Sequence, residues 1–445
     1  MTEAEYIIAY RFGFGVNPSK TFDPARELSA MPVEDTNLAD QLSKRIVETN
    51  SRRKAFVDSG RSDAEQAQLK MMYHIAEVGD LHRVIVETAT TDAMFTYRLS
   101  AFWANHFSLG RSKPILRVTS GLYENALRQK MFGSFADLLV TAELHPAMMF
   151  FLNLEQSVGP NSPLGRRKGK GLNENLGREI LELHTLGVNG GYSQADVIAL
   201  AKLLTGWTVR MEDGQVRFAP NRAEPNAKKL LDKSYGDGKP KPDDLKQALD
   251  ALARHPATAR FISGKLAKHF FGPQSDDTAK AIESVFVSSE GNLKEVYQAM
   301  LDLKQARSPL GAQSRTDFDF LVSALRASPL RPKSFDEQVK PDGSPKPSPV
   351  TVGAMRGLTQ KLWQAPSPKG WPDEPGFWLS PTVITARLKR IPVLVRHYQD
   401  IEPQVFAEQV LGPLMTANTR NTLKLASNRQ LALGLALASP EFNRR

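Results

Sequence analysis

Apolar residues recur three and four positions apart through most of this chain, and that period constrains it to helices packed on helices. The pattern is densest from Ser62 to Leu109. Leu69, Met72, Ile75 and Ala76 form one stripe, and Leu81, Val84, Ile85 and Thr88 continue it. Met94, Tyr97, Leu99, Phe102 and Phe107 then make a thick apolar segment that reads as core, closed by Gly110. Helix ends carry matching punctuation. Thr2, with Glu5 three residues on, reads as a capping box whose helix ends at the Gly13/Gly15 region. Further helices are expected near 35–48, 120–130, 134–144, 173–186, 193–204, 244–253, 255–270, 277–288, 292–303 and 428–437. One stretch breaks the period: Thr208–Met211 and Gln215–Phe218 flank Glu212-Asp213-Gly214, and Asp-Gly is a hairpin turn signal. The expected fold class is mainly α, a large multi-helix domain with one small β-hairpin over 208–218.

Gly, Pro and charge density divide the chain. A helical core is expected over 1–155 and 173–330, interrupted by an exposed loop over 156–172 that carries Arg166, Arg167, Lys168 and Lys170. The Lys-, Pro- and Gly-rich stretch 223–242 reads as a surface loop, and 330–349 as a polar linker before a C-terminal helical part over 350–445. The two segments 156–172 and 330–349 have no apolar period and are expected as mobile surface. No internal repeat is visible.

Composition excludes more than it assigns. With no Cys among 445 residues, the chain has no disulfide, thiolate metal site or cysteine nucleophile. No stretch reaches the roughly 20 apolar residues of a membrane helix, so no membrane span is expected. Met1-Thr2-Glu3-Ala4-Glu5 shows no export signal, which favours the cytoplasm. The formal net charge is +10, but the basic residues are spread along the chain. The densest cluster, Arg166 to Lys170, has no aromatic residue interleaved, so nucleic acid is not expected as the partner.

Four constellations could carry chemistry. The first is Phe102-Trp103-Ala104-Asn105-His106-Phe107, a His and an Asn among large aromatics. His106 there suits a general base or a metal ligand, or equally a core His bonded to a carbonyl or carboxylate. The second is the helix from Asn173 to His184. At about 100° per residue, Glu174, Asn175, Arg178, Glu179 and Glu182 share one arc, with Leu176, Ile180 and Leu183 opposite. Glu174–Arg178 and Arg178–Glu182 are i,i+4 neighbours, either a solvated ladder or a carboxylate-lined cleft. The third is Gly190-Gly191-Tyr192-Ser193-Gln194-Ala195-Asp196, better read as a turn and a helix cap than as an anion site. The fourth is Gly370-Trp371-Pro372 with Gly376-Phe377-Trp378, where Trp371 and Trp378 could stack on a sugar or base, or plug an interface.

In this order the motifs resemble the bacterial family known as domain of unknown function 1800. The resemblance runs through Arg11-Phe12-Gly13-Phe14-Gly15 and Trp103-x-Asn105-His106-Phe107. It continues in Asn173-Glu174-Asn175-x-x-Arg178-Glu179-x-x-Glu182-Leu183-x-Thr185-Leu186-Gly187, with Tyr192, Asp196 and Thr205-Gly206-Trp207. His255 to Ile262 with Lys265-Leu266, Pro366, Lys369-Gly370-Trp371-Pro372 and Ser439-Pro440-Glu441-Phe442 complete it. It spans nearly the whole chain and implies a single large helical domain with no agreed activity or cofactor. Members are often encoded beside an exported sulfatase-like or phosphatase-like protein, which implies such a partner and, as an alternative, a periplasmic location by co-export. Two positions depart from the family pattern. Arg222 to Lys229 stands where a His-Asp pair is usual, and Asn153 where Asp is common.

Two functional readings are open. One is an enzyme whose cleft holds His106 as acid or base, Glu179 and Glu182 as carboxylates and Arg178 as an anion clamp, acting on an anionic or glycan-like substrate. Asn105, Glu174, Asn175 and Asp196 are further polar candidates. The other is a non-catalytic accessory protein for the exported partner. The cofactor is open, and so is a metal; one His with two or three carboxylates would suit an oxygen-liking ion better than structural zinc. Under the first reading His106 lies close to the Glu174–Glu182 helix, and the two form one buried polar site.

Overall fold

The computed structural model describes residues 1–17, 22–30, 35–169, 171–328, 346–398 and 401–445, with the backbone of 338–339 and 345. Helices dominate, and most begin where capping chemistry places them. Thr2 and Glu5 form the reciprocal cap of Glu3–Phe12. Ser134 caps Phe135–Glu143, Asn292 caps Leu293–Asp302 and Asn428 caps Arg429–Ala438. His255 accepts the Ala257 N–H at the start of Pro256–Phe271, with Pro in the first turn where its missing N–H costs nothing.

Some expectations shift. The apolar text from 62 to 109 forms two helices, Asp63–Thr90 and Met94–His106. The break falls at Thr91, whose hydroxyl accepts the Ala93 N–H and so offers the backbone a turn in place of the helix. The expected hairpin is present, Trp207–Arg210 paired with Gln215–Phe218. A second hairpin, Lys228–Leu230 with Lys233–Tyr235, occupies the stretch expected as a surface loop. Its Lys content hid the alternation: Lys228 and Leu230 are buried while Lys229 between them is exposed. The segment 156–172, expected as an exposed loop, does expose Arg166, Arg167 and Lys168 but is partly built into the fold. It carries the short helix Pro163–Lys168, and Val158 and Ser162 are fully buried. Of the expected linker 330–349, residues 330–337 and 340–344 lie outside the described residues, while 338–339 pairs with 345–346.

Among the described residues two large apolar cores result, with smaller clusters around Tyr10 and Val78. The larger gathers Phe95, Trp103 and Phe107 with Phe135, Leu200, Leu266, Phe270 and Tyr297. The second gathers Phe14, Val84, Ile85 and 318–327 with Leu394, Phe406, Leu433 and Phe442. Helix Asp63–Thr90 serves both, with Tyr73 in the first and Val84 and Ile85 in the second. The segment 365–372 lies against the end of Met94–His106 and the loop after it: the Ala365 N–H donates to the Leu109 carbonyl, and the Ser108 hydroxyl to that of Pro368, at 2.7 Å.

In the larger core a polar chain is closed by one phenol. Trp103 Nε1 donates to the Tyr297 hydroxyl at 2.6 Å, which donates to the Met131 carbonyl at 2.9 Å; Trp103 and Tyr297 are fully buried. Removing that oxygen orphans a donor and an acceptor together. Tyr297→Phe is therefore expected to destabilise the fold by about 2–3 kcal/mol, read as a lower urea midpoint at unchanged slope; an unchanged midpoint would refute this account of the core.

Candidate active-site cleft

A cleft of about 660 Å³ opens between the end of the 175–184 helical segment, helix Pro256–Phe271 and the 366–374 segment. That volume suits a small ligand. Each wall has an identifiable cause.

The first wall is shaped by a change of helix type. Asn175–Glu179 is α-helical, but Ile180–His184 is a π-helical turn. The Thr185 hydroxyl donates to the Ile180 carbonyl five residues back, at 2.6 Å, and so satisfies a carbonyl in the widened turn. The wider turn changes the direction of the side chains along it. Leu181 and His184 point inward and are buried, while Leu183 turns out to line the cleft. This corrects the arc drawn at 100° per residue, which placed Leu183 on the buried side. Gly187 then brings the chain against the second wall. Its φ is +83°, and a Cβ there would stand 2.8 Å from the Phe261 ring.

The third wall is clamped by Asn105. Its Oδ1 accepts the Trp371 N–H at 2.8 Å, and its Nδ2 donates to the Trp371 carbonyl at 3.0 Å. Gly370, with φ +89°, makes this approach possible, since a Cβ there would lie 2.4 Å from the Asn105 carbonyl oxygen. Behind Asn105, Trp371, Pro372 and Asp373 lies a narrower cavity of about 60 Å³, bounded also by Glu124, His269 and Arg445.

His106 and Lys265 form the chemical centre. The His106 ring is buried among aromatics, 4.5 Å from Phe107 between centroids. Its Nε2 lies 3.2 Å from the His184 carbonyl, and its Nδ1 lies 2.9 Å from Lys265 Nζ. A carbonyl only accepts and an ammonium only donates, so the proton sits on Nε2 and Nδ1 receives the Lys265 N–H. Burial, the Lys265 charge and His184 hold the His106 imidazole well below its usual range, so the ring is neutral. Lys265, half-buried beside Phe261, is lowered to about 8, chiefly by desolvation. The Asp373 charge opposes that shift, and Lys369 and Lys268 add to it.

Beneath His106 a second buried pair joins the π turn to the core. His184 Nδ1 lies 2.7 Å from Glu143 Oε1, both side chains essentially unexposed. Glu179 is close enough to sense them: burial raises its carboxyl, His184 and Arg178 oppose, and Glu182 adds to the rise. On the Asp373 side, His269 Nδ1 donates to Asp373 Oδ1 at 2.9 Å, and Arg445 Nη1 lies 3.3 Å from His269 Nε2 and 2.9 Å from Asp319 Oδ2. Arg98 takes the other Asp319 oxygen at 2.5 Å. Burial lowers His269 to about 4, with the Arg445 charge adding, so it too is neutral. Burial alone would raise Asp373, but the His269 N–H and the Arg445 and Lys265 charges bring it down to about 2.

The residues singled out from sequence fall into two groups. His106 packs on the π turn and on Lys265, while Asn105, Glu182 and Trp371 line the cleft. His106 meets this helical segment through a backbone carbonyl, not a carboxylate. The Tyr192 hydroxyl donates to Glu182 at 3.4 Å. The others stand apart. Glu174 and Arg178 pair at 3.5 Å on the outer face, both bridged by Gln194, and Asn175 is exposed. Asp196 completes the capping box with Ser193 and accepts the Leu231 N–H, as a cap reading requires. Trp378 is fully buried, its Nε1 donating to the Pro372 carbonyl, so no face is free to stack on a ligand. The sequence motifs include Lys265 and His184 without assigning them a role, and leave out Glu143, His269, Asp373 and Arg445. Among the described residues no group of three His, Asp or Glu converges as metal ligands would.

These features define a mainly α protein with a basic, partly enclosed cleft. The chain belongs to the family described as "Protein of unknown function (DUF1800)", whose profile matches residues 7–444. No curated protein and no solved structure matches it. Among the described residues no helix is long and apolar enough to cross a membrane.

The hydrogen bonds around His106 give a direct expectation. In nitrogen-15 spectra at pH 6–7 its Nε2 should be protonated and its Nδ1 bare; an imidazolium in that range would contradict the assignment.

Proposed function

We propose that the cleft is an enzyme site for a small anionic or glycan-like substrate, with Lys265 and His106 as its proton-exchanging pair. One observation carries this reading: Lys265 lines the cleft, and its amine is bonded to a neutral imidazole at 2.9 Å. A group lowered to about 8 exchanges protons readily near neutral pH. Its ammonium can protonate a leaving oxygen, and its amine can take a proton from an attacking water, as hydrolysis needs. His106 holds one N–H and so orients the amine.

The rim supports an anion. Arg260, Lys268 and Lys369 stand around the opening with Lys265. Asp373 is occupied by His269, and Glu374 by Lys268 at 2.7 Å, which leaves Glu182, on the π turn, as the third acid of the lining. Trp371 offers a partly exposed aromatic wall on which a sugar ring can stack. Arg178, the anion clamp expected from sequence, gives way to these cleft cations, and Glu179 supports from behind through His184.

The accessory reading keeps one support. The Glu174–Arg178–Gln194 face is solvent-accessible, and Val188 beside the cleft is 65% exposed, so an exported sulfatase-like or phosphatase-like partner would find a polar surface with an apolar point.

Calorimetric titration with sulfate and methyl β-glucuronide, a non-reducing acidic sugar, tests the cleft. Binding is expected to weaken with salt, and to weaken about 10- to 100-fold in Lys265→Met as one charge-assisted bond is lost. Lys233→Met, on an exposed hairpin, should change nothing. Equal binding by Lys265→Met, or no binding of either anion, would refute the proposal.

A further inference from the structure

We infer that Lys265 is also a nucleophile, which captures the carbonyl carbon of a small anionic aldehyde or ketone as an imine. This deepens the anion-cleft reading and rests on it.

The geometry separates Lys265 from ordinary lysines. One helical turn away, Lys268 pairs with Glu374 at 2.7 Å. The hydrogen-bond partner of Lys265 is instead the lone pair of His106 Nδ1. An imidazole nitrogen stabilises an ammonium far less than a carboxylate does. It can also accept, more weakly, from a neutral amine. With one N–H held by His106, the amine's lone pair is free to face the cleft. Its Nζ lies 5.7 Å from the Phe261 ring centroid, where the ring face weakly attracts an ammonium, so what disfavours charge on the nitrogen is its removal from water.

The surroundings select the electrophile. Lys369, with Arg260 and Lys268 that are already paired to Glu283 and Glu374, would draw in a carboxylate or phosphate, and Lys369 and Lys268 add repulsion against a proton on Lys265. Desolvation and neighbouring cations are the two general means of activating a lysine toward carbonyl compounds. With its acidity near 8, roughly one amine in ten is free at pH 7, against fewer than one in a thousand for a lysine near its ordinary value.

The step balances without an oxidant or a reductant. The neutral Nζ lone pair forms a C–N bond to the carbonyl carbon, and the carbonyl π pair moves to oxygen. A proton passes from nitrogen to that oxygen through solvent, giving a carbinolamine. The hydroxyl, protonated again, leaves as water while the nitrogen lone pair closes the C=N bond. The reverse sequence releases the ligand. His106 keeps its Nε2 proton throughout, because an imidazolium is disfavoured in its buried site.

The test uses the unmodified full chain. Glyoxylate with cyanoborohydride reduces any imine to a carboxymethyl amine, which peptide mass spectrometry locates. Lys265 is expected to be marked at least about tenfold faster than the exposed Lys233, and to prefer glyoxylate over neutral acetaldehyde more strongly than Lys233 does. Labelling no faster than Lys233 overturns the inference. Fast labelling without preference for the anion overturns its ligand class. Because methyl β-glucuronide carries no free aldehyde, its Lys265-dependent binding would survive the first failure, so loss of the imine and loss of the cleft are distinguishable.

Discussion

Asp319 is the interaction on which the rest of this structure leans. It lies near the start of Asp317–Ala327, fully buried, with Arg98 on one oxygen and Arg445 on the other. The Thr316 N–H donates to it at 3.0 Å. A carboxylate moved out of water loses far more than one ion pair returns, so such a site survives only when both oxygens are taken. These charges hold the Asp319 carboxyl well below its usual range even though burial pulls the other way. Its partners come from distant parts of the chain: Arg98 from the first core, Arg445 from the chain's end. Through Arg445 the link passes to His269 on Pro256–Phe271 and on to Asp373.

That link places the cleft. Helix Pro256–Phe271 carries both His269, turned into the network, and Lys265, one turn earlier and turned toward His106. Met94–His106 carries both Arg98 and His106, two turns apart. The same two helices therefore supply a charge cluster in which both Asp319 oxygens are paired, and an amine held by a neutral imidazole. Among the described residues Asp373 is the carboxylate that raises Lys265, and its charge is shared with His269 and Arg445. The amine is left between desolvation, which takes its proton away, and a carboxylate engaged elsewhere.

Much of this frame was legible in the sequence. Caps at Thr2, Ser134, Ser193, Asn292 and Asn428 mark helix starts because short polar side chains satisfy orphan N–H groups. Asp213-Gly214 marks the first hairpin, and the order of motifs marks the family. The features that stayed hidden depend on contacts between distant segments. The π turn defeats a fixed angle per residue, and with it the inward turn of His184. The second hairpin lies in Lys-rich text where burial of Lys228 is decided by the Glu224 carbonyl it reaches, at 2.6 Å. Trp378 reads either as a stacking platform or as a plug, and only the contacts of its indole with the Pro372 carbonyl and Trp371 decide for the plug. Arg98 does carry a signal, since it stands alone inside the apolar run 94–103, and a charge there needs a partner elsewhere in the chain. Lys265 gives no such signal, because a lysine on an amphipathic helix looks the same whether its amine meets water or His106.

The ionisation of Lys265 tests this account most directly. In protein labelled with carbon-13 at lysine, the ε-carbon shift of Lys265, assigned by its loss in Lys265→Arg, can be followed as pH rises through the range of amine titration. A midpoint near 8 is predicted. A midpoint near the ordinary lysine value of 10.5 would mean that the amine is solvated or paired to a carboxylate, and would contradict the site described here.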